Sequence, residues 1–554
     1  MLNSTKNHKM MFNLPKKRAH KKHDYYPYLS KEIFINRLCS IKNMPDKNKV
    51  MLLYPKWDED YGLISYFSKR FSTWPPLNLA YLAAISEDMG FESRIIDGQL
   101  EQMSLEEMAQ KTLEFDPGII GMTSTTPSHH YSEELARLIK KESDALIVVG
   151  GPHITVTHND PRQLGSFDLG FVGQADGSWR EFLGKYREEK NFRDVPGITF
   201  NGENGELVYT GQTPSINMKE EPFPARHLLN MGGYRIGTPR GLTNFTSIKS
   251  VRGCPFKCTF CSTDVFGYKL KRNDPEHTGD EIEKCIEEFG IDHFVFLDET
   301  LTANKKHALA VADEIIKRKL DITFEGATRA NLIDEPIMER LAEAGMVKLA
   351  FGLETVNNRV RKLMKKEVPL EAHEVANELC HKYGIEALNS CIIGMPGETR
   401  DSVRETVAYL RQTPEIQHVN ISIAVPYPGT ELEKQARSGE YGMKILTDDF
   451  SDYRRYNAAV MKVGDLMPND LIKMQSDAYL SIYAHPKRWG PMLKKQGLMG
   501  AVLTMNRGLK TLLVDRRIPD FITDKQLKIH GENSKKNLLE KITPKRKQVH
   551  AAAE

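Results

Sequence analysis

The 554-residue sequence predicts an α/β chain: a doubly wound parallel sheet, then a partial (β/α)6 barrel, then a helical C-terminal extension. Three observations carry that reading. From Lys49 onward, short apolar runs alternate with amphipathic stretches, the pattern of parallel strands covered by helices on both faces. The alternation falls into two series, interrupted between residues 190 and 245. The second series holds six strand–helix units in succession, and barrels of such units carry their active sites at the C-terminal ends of the strands.

Residues 1–47 form a basic lead-in. Residues 1–23 hold seven Lys/Arg and no Asp or Glu, the texture of a disordered tail. Residues 48–190 form the first series. Val50–Tyr54 is an apolar strand, Pro75–Met89 has helical period, and Gly90 is placed to end that helix. Ser93–Asp97, Gly118–Met122, Leu146–Val149 and Leu169–Val172 are further strands, with Leu135–Lys141 in an intervening helix. Residues 191–245 read as a linker, in which Asn201-Gly and Asn204-Gly mark a hairpin and Pro222-Phe-Pro224 an extended connector. The barrel occupies 246–440, with strands at Thr246–Val251, His293–Leu297, Thr323–Ala327, Lys348–Gly352, Glu386–Ile393 and Val419–Ala424. Thr278–Phe289 and Lys305–Arg318 are among its helices. Residues 441–520 read as helical and 521–554 as a Lys-rich tail.

A hydrophobic content of 40% and a charged content of 27% exclude a disordered or collagenous chain. The net charge of +3 hides unlike parts: residues 1–23 carry +7 and residues 525–554 carry +5, so the body between them is acidic. An acidic body fits poorly with RNA or DNA as substrate. No apolar run reaches the ~18–20 residues of a transmembrane helix, and the N-terminus lacks the apolar core of a secretory signal. Seven cysteines are too few, and an odd number, for a disulfide framework. A reducing cytoplasm is the expected home. Pro491–Val514, apolar with Lys494, Lys495, Arg507 and Lys510 interspersed, reads as a basic amphipathic helix that either packs on the barrel or makes peripheral membrane contact.

Cys39, Cys285, Cys380 and Cys391 are isolated, whereas the other three lie together in Arg252-Gly-Cys254-Pro-Phe-Lys-Cys258-Thr-Phe-Cys261. Thiolates are the preferred ligands of iron–sulfur clusters. Three on one loop hold three irons of a four-iron cluster and leave one iron without a protein ligand, an open position of the kind metal chemistry needs. A structural zinc site would call for a fourth Cys or His at regular spacing, and none follows.

This CxxxCxxC, with Phe260 just before its last cysteine and at the end of the first barrel strand, resembles the signature of radical S-adenosylmethionine enzymes. The resemblance implies a [4Fe–4S] cluster on Cys254, Cys258 and Cys261, with S-adenosylmethionine chelated at the open iron. One-electron reduction by an external flavodoxin- or ferredoxin-like donor would cleave that cofactor to a 5′-deoxyadenosyl radical. It further implies that Asp298 and Glu299 meet the methionine amine and that Arg329 meets its carboxylate. Glu354, in Phe351-Gly-Leu-Glu354, would meet the ribose hydroxyls. Gly394 and Glu398, in Cys391-Ile-Ile-Gly-Met-Pro-Gly-Glu398, would lie near the adenine, and Pro426-Tyr-Pro-Gly-Thr430 would close the sixth strand.

The first series looks like a flavodoxin-type doubly wound domain of the broad Rossmann class. Such sheets bind ligands beyond their strand C-termini, near the topological switch point. Its position before the barrel, with Pro75-Pro-Leu-Asn-Leu-Ala-Tyr-Leu-Ala83 and Gly150-Gly-Pro-His153, resembles the cobalamin-binding domain of the class B radical methylase family. The resemblance covers about residues 48 to 430. It implies cobalamin between domain and barrel, against Thr123, Ser124, Gly150, Gly151, His153 and Gly173. Glycines admit close backbone approach and hydroxyls offer donors. The Asp-x-His-x-x-Gly string of proteins that ligate cobalt through histidine is absent; His381-Lys-Tyr-Gly384 has Leu379 in the Asp position. His153 is therefore expected to line the site without coordinating. His129 and His130 cannot face one metal together, being ~100° apart on a helix.

The resulting expectation is a cobalamin-dependent methyltransferase acting on an unactivated carbon of a small-molecule or lipid/isoprenoid substrate. In it, one S-adenosylmethionine would methylate cobalamin and a second would yield the radical. Gln475–Arg488, with Tyr479 and Tyr483, resembles the extension that walls the substrate pocket in such enzymes. The rivals are oxidative ring formation, as in anaerobic magnesium-protoporphyrin ester cyclases, and a non-catalytic cluster or corrinoid sensor. An RNA methylthiotransferase would need three further cysteines in the N-terminal domain, where only Cys39 precedes the sheet.

Overall fold

The computed structural model describes residues 48–56, 73–188, 191–202, 205–214, 217–238, 241–483 and 485. Cys39, the Pro491–Val514 segment and both charged tails lie outside these residues.

Five parallel strands, β1 (Lys49–Tyr54), β2 (Glu92–Asp97), β3 (Ile119–Thr123), β4 (Leu146–Gly150) and β5 (Leu169–Phe171), pair in the order β2-β1-β3-β4-β5. Successive side chains of a strand point to opposite faces, and both faces are apolar here. Val50 and Leu52 pack under helices α1 (Leu77–Asp88) and α5 (Ala175–Arg187). Met51 and Leu53 pack under α2 (Leu105–Phe115) and α3 (His129–Ile139). α1 ends as expected, at a left-handed Gly90 with φ +80°. A short helix, α4 (Pro152–Thr157), follows β4. The expected hairpin forms as β6 (Ile198–Asn201) and β7 (Leu207–Tyr209), and β6 pairs antiparallel with β5. It thus extends the first sheet, burying Ile198 and Phe200.

The second sheet begins with β8 (Arg235–Thr238), antiparallel to β9 (Gly241–Ile248). A two-residue pairing, β10 (Val251–Arg252) with β11 (Lys271–Arg272), closes the base of the cysteine loop. β12 (His293–Phe296), β13 (Thr323–Thr328), β14 (Met346–Glu354), β15 (Glu386–Ile393) and β16 (Ile416–Ile423) continue from β9 in parallel, in sequence order. Helices α6 (Pro275–Phe289), α7 (Lys305–Lys317), α8 (Glu335–Glu343), α9 (Asn358–Leu363), α10 (Leu370–Lys382), α11 (Arg400–Gln412) and α12 (Glu431–Ser438) run between and after these strands. β16 and β9 are not paired with each other, so the six-unit barrel is partial, as the sequence predicts.

An open barrel leaves an edge strand whose backbone groups need partners. Helix α13 (Pro468–Tyr483) supplies them. The Ile421 and Val419 amides donate to the hydroxyls of Tyr479 (2.8 Å) and Tyr483 (3.0 Å), and Gln475 donates to the Ile421 carbonyl (2.8 Å). Residues four apart share a helix face, so 475, 479 and 483 run along β16. The helix expected to wall the substrate pocket spends these side chains on the barrel edge.

The two halves meet along polar contacts. Tyr234 donates to Asp97 (2.7 Å), Ala225 N–H to the Ala80 carbonyl (2.9 Å), and buried Arg252 pairs with Asp176 (2.6 Å). Among the described residues no helix is long and apolar enough to cross a membrane.

Candidate cofactor site

The cysteine loop leaves the barrel after β10. Gly253, at φ +99°, stands so close to the Lys269 carbonyl that a Cβ would collide with it, so only glycine starts this loop. The Cys254 amide donates to the Gly267 carbonyl (3.1 Å), the Cys261 amide to the Cys258 carbonyl (3.1 Å), and the Thr259 amide to the Met364 carbonyl (3.1 Å). Cys254 Sγ lies 3.6 Å from Thr300 Oγ1. Burial pushes the Cys261 thiol up, against an opposing hydrogen bond with Thr263. Among the described residues no three His, Cys, Asp or Glu side chains converge as ligands of one metal ion. A four-iron cluster takes one thiolate per iron, so its ligands stand farther apart than those of a single ion. Three thiols on one strapped loop suit that group and not a lone zinc.

Arg329, at the end of β13, stacks its guanidinium 3.8 Å from the centre of the Phe256 ring and reaches to 3.5 Å from Cys258 Sγ. Its Nε is buried without a protein partner, a donor left over for a ligand at the loop. Phe260 is half-buried against an apolar cluster that includes Met364, Met395 and Leu432.

Asp298 and Glu299 follow β12. Asp298 is buried and turned to the barrel: it accepts from the amides of Ser250 (2.8 Å) and Val251 (2.9 Å) and from the Ser250 hydroxyl (2.6 Å). Burial pushes its carboxyl up to about 6. The expectation of a ligand-facing acid at 298 is not met by this geometry, because both its oxygens are spent at the base of the loop. Glu299 pairs with Lys249 and accepts from the Gly253 amide (2.9 Å). Both acids thus clamp the cysteine loop.

Glu354 ends β14 in the left-handed region (φ +61°), an uncommon place for a residue with a side chain. Its carboxylate is buried against Lys366 Nζ at 3.0 Å. Gly394 has φ +87°, and its amide donates to Glu398 (2.6 Å), as does that of Met395 (3.1 Å). Burial pushes the Glu398 carboxyl up to about 7. Glu398 shapes the turn after β15. Leu297 and Ala327, beside these groups in the sequence, are exposed, so the strand ends open onto space.

The first sheet brings its own strand ends to the same place. Thr123 Oγ1 accepts from Asn78 (3.0 Å), and Ser124 Oγ pairs with His129 Nδ1 (2.8 Å). Gly150 ends β4. Gly151, at φ +103°, approaches Ser124 so closely that a Cβ would fall 2.6 Å from its carbonyl oxygen. The Gly173 amide donates to Thr155 Oγ1 (2.9 Å). Beyond Gly173, Gln174 donates to the Phe266 carbonyl in the cysteine loop (2.8 Å), and α4 packs on residues 263–265 of that loop. Gly429, after β16, lies against Val156 of α4. His153 departs from expectation. It sits in α4, fully buried, with Nε2 2.8 Å from Gln163, Nδ1 3.3 Å from Thr126, and its ring against His129 and Phe450. Burial pushes its pKa down to about 4, so it is a neutral packing residue behind the strand ends and does not line an open site.

Sequence reasoning missed two residues. Lys366, which pairs with Glu354, lies in no motif. Arg252, which opens the cysteine string, is buried between Asp176 and the Tyr81 ring (5.1 Å).

Residues 248–410 match the radical SAM superfamily, and residues 66–183 match the B12 binding domain. An uncharacterized methyltransferase of Pyrococcus horikoshii is 31% identical over 421 residues, spanning 75% of this chain and 89% of that relative. The chain belongs to the radical SAM superfamily. It is a member that carries a B12-binding domain, and its cofactors are a [4Fe–4S] cluster, S-adenosylmethionine and cobalamin. An anaerobic magnesium-protoporphyrin IX monomethyl ester cyclase of Cereibacter sphaeroides is 27% identical over 424 residues, spanning 74% of this chain and 67% of the cyclase. In fold, the chain is similar to the radical S-adenosylmethionine methyltransferase TsrM from Kitasatospora setae, at TM-score 0.62 and 18% identity over 79% of this chain and 89% of that one.

Proposed function

We propose that this radical SAM enzyme transfers a methyl group to an unactivated carbon of a small organic substrate, a lipid or isoprenoid among the candidates. One observation carries the reading: the C-terminal ends of the first sheet face the cysteine loop directly, through Gln174 on Phe266 and α4 on residues 263–265. A methyl carrier on one sheet and a radical source on the other would then work on one substrate between them. The relative from Pyrococcus horikoshii, named a methyltransferase, supports it.

When bound, the cluster and S-adenosylmethionine supply a carbon radical, cobalamin supplies the methyl group, and an external donor supplies the electron. The protein's own part is positional. Cys254, Cys258 and Cys261 would hold three irons. Asp298 and Glu299 fix the loop through the amides of Ser250, Val251 and Gly253. Arg329 would offer its free Nε and its charge to the methionine carboxylate, and Glu354 its carboxylate to the ribose hydroxyls. Gly151 would let a bulky ligand lie on backbone. His153, neutral and buried, would contribute packing alone.

A second reading, oxidative ring closure, rests on the 27% identity to the cyclase. Anaerobically reconstituted protein given reductant and methyl-labelled S-adenosylmethionine separates the two. Methyl transfer moves label into substrate, cyclisation forms 5′-deoxyadenosine without label transfer, and no 5′-deoxyadenosine at all would sink both.

A further inference from the structure

The cysteine loop returns to the barrel through Phe266-Gly-Tyr268, whose two rings meet different lysines. Phe266 lies by the strand ends, with Lys249 Nζ 5.2 Å from its ring centre. Tyr268 is 42% exposed and has Lys257 Nζ 5.7 Å from its ring centre. Gly267, between the two rings, accepts from the Cys254 amide (3.1 Å). Lys257 is exposed and immediately precedes Cys258, and Lys269, next after Tyr268, is exposed as well. An exposed ring and an exposed ammonium thus stand one hydrogen bond and one peptide bond from two of the three cysteines.

Most other cations of this loop are committed. Lys249 pairs with Glu299, Arg252 with Asp176, and Lys271 reaches Gln174 (3.3 Å). Among the described residues no carboxylate lies within ion-pair distance of Lys257 or Lys269. The body of the chain is acidic. An acidic partner is therefore repelled over most of it and attracted where basic charge stands uncompensated, which sets both approach and orientation. A large exposed aromatic beside those charges supplies the apolar contact that charge alone does not.

Resting on the reading that the electron comes from outside, we propose that Lys257, Tyr268 and Lys269 form the docking surface for an acidic one-electron carrier protein of the flavodoxin class. One electron leaves the carrier's reduced flavin, which is oxidised by one step, and enters the oxidised cluster, which is reduced by one. No bond between heavy atoms forms or breaks, and the links through Gly267 and Lys257 keep the path to the cysteines short.

The test compares full-length, anaerobically reconstituted wild type with Lys257→Glu, Lys269→Glu and, as a control on α2, Lys111→Glu. Calorimetric titration with oxidised flavodoxin across a salt series reads affinity. Stopped-flow absorbance reads cluster reduction by reduced flavodoxin and, separately, by dithionite at high salt, where the charge of a small anion is screened. Wild-type affinity should fall as salt rises. Each loop reversal should weaken flavodoxin binding about tenfold at low salt and slow flavodoxin-driven reduction, with iron content and dithionite-driven reduction at wild-type levels. Lys111→Glu should match wild type throughout. Equal affinity in all four proteins, an equal slowing with dithionite, or a wild type that binds no flavodoxin would each overturn the proposal. If Lys257→Glu takes up no iron, Lys269→Glu decides alone. A wild type that binds flavodoxin and is reduced by it, yet forms no 5′-deoxyadenosine, would refute the functional reading and leave the docking surface standing.

Discussion

Replacing Asp298 with alanine removes the acceptor of three hydrogen bonds, at 2.8, 2.9 and 2.6 Å, and leaves the Ser250 and Val251 amides buried without partners. The Ser250 hydroxyl can rotate to another acceptor, but the two amides cannot. Each buried unpaired donor costs roughly 1–3 kcal/mol, which converts to roughly 5- to 150-fold in the opening equilibrium. Amide hydrogen exchange at Ser250 and Val251 should accelerate by that factor in Asp298→Ala, and iron bound per chain should fall because the cysteine loop starts at Gly253, two residues on. Asp298→Asn keeps an oxygen for both amides, so at pH 4, where Asp298 is protonated, its exchange should stay near wild type. The isosteric variant also isolates the charge. The Asp298 pKa rises on folding from 3.8 to about 6, so its contribution to stability is complete below pH 4 and is lost as pH climbs through 6. The loss is roughly 3 kcal/mol at pH 8. Protection in the wild type relative to Asp298→Asn should therefore decline between pH 4 and 8. Unchanged exchange in Asp298→Ala, or an Asp298→Asn variant that exchanges as fast as it, would refute the clamp.

Cys258→Ala should abolish both the cluster's visible absorbance and 5′-deoxyadenosine formation; cleavage that survives would show the ligand assignment to be wrong. Gly151→Ala forces a side chain to φ +103° and to 2.6 Å from the Ser124 carbonyl, so cobalamin uptake should be lost while iron content is kept. Retained corrinoid absorbance would move the binding surface elsewhere. Glu398, raised by burial from 4.5 to about 7, favours folding most below pH 4.5 and loses that contribution as pH rises through 7. Thermal denaturation of Glu398→Gln against wild type should show the variant gaining relative stability from pH 6 to 8, and parallel curves would contradict it.

Local pattern made most of the strands legible. Val50–Tyr54 and Glu386–Ile393 are runs whose composition alone demands burial or alternation, and the structure has them at Lys49–Tyr54 and Glu386–Ile393. The hairpin after Ile198 was legible as a hairpin because Asn-Gly favours positive φ. Its attachment to β5 was not, since pairing of a strand edge depends on what lies across space. The cysteine trio was legible because ligand spacing on one loop is a local property. The direction of Asp298 was not, because its partners are backbone amides of Ser250 and Val251, nearly fifty residues away in sequence and brought to it only by the fold. Lys366 left no trace in the sequence: a lysine between Lys365 and Glu367 reads as solvated surface. Only backbone torsion turns it inward.

Arg252 shows why the two halves form one site. It stands two residues before Cys254, is buried, and finds its countercharge in Asp176 at the start of α5, in the other half of the molecule. A buried guanidinium without its carboxylate is costly, and removing one partner of such a pair costs about 3–5 kcal/mol. The barrel alone would have to expose Arg252 or bury it unpaired, and either choice would disturb Gly253 and Cys254 beside it. Gln174 adds a second tether, since its amide group holds both the Phe266 carbonyl and Lys271 (3.3 Å) on the far side of the loop. The cysteine loop is therefore held at its start and its end by residues at the strand tips of the B12-binding half. A displacement of those tips would therefore reach the three cysteines through Asp176 and Gln174.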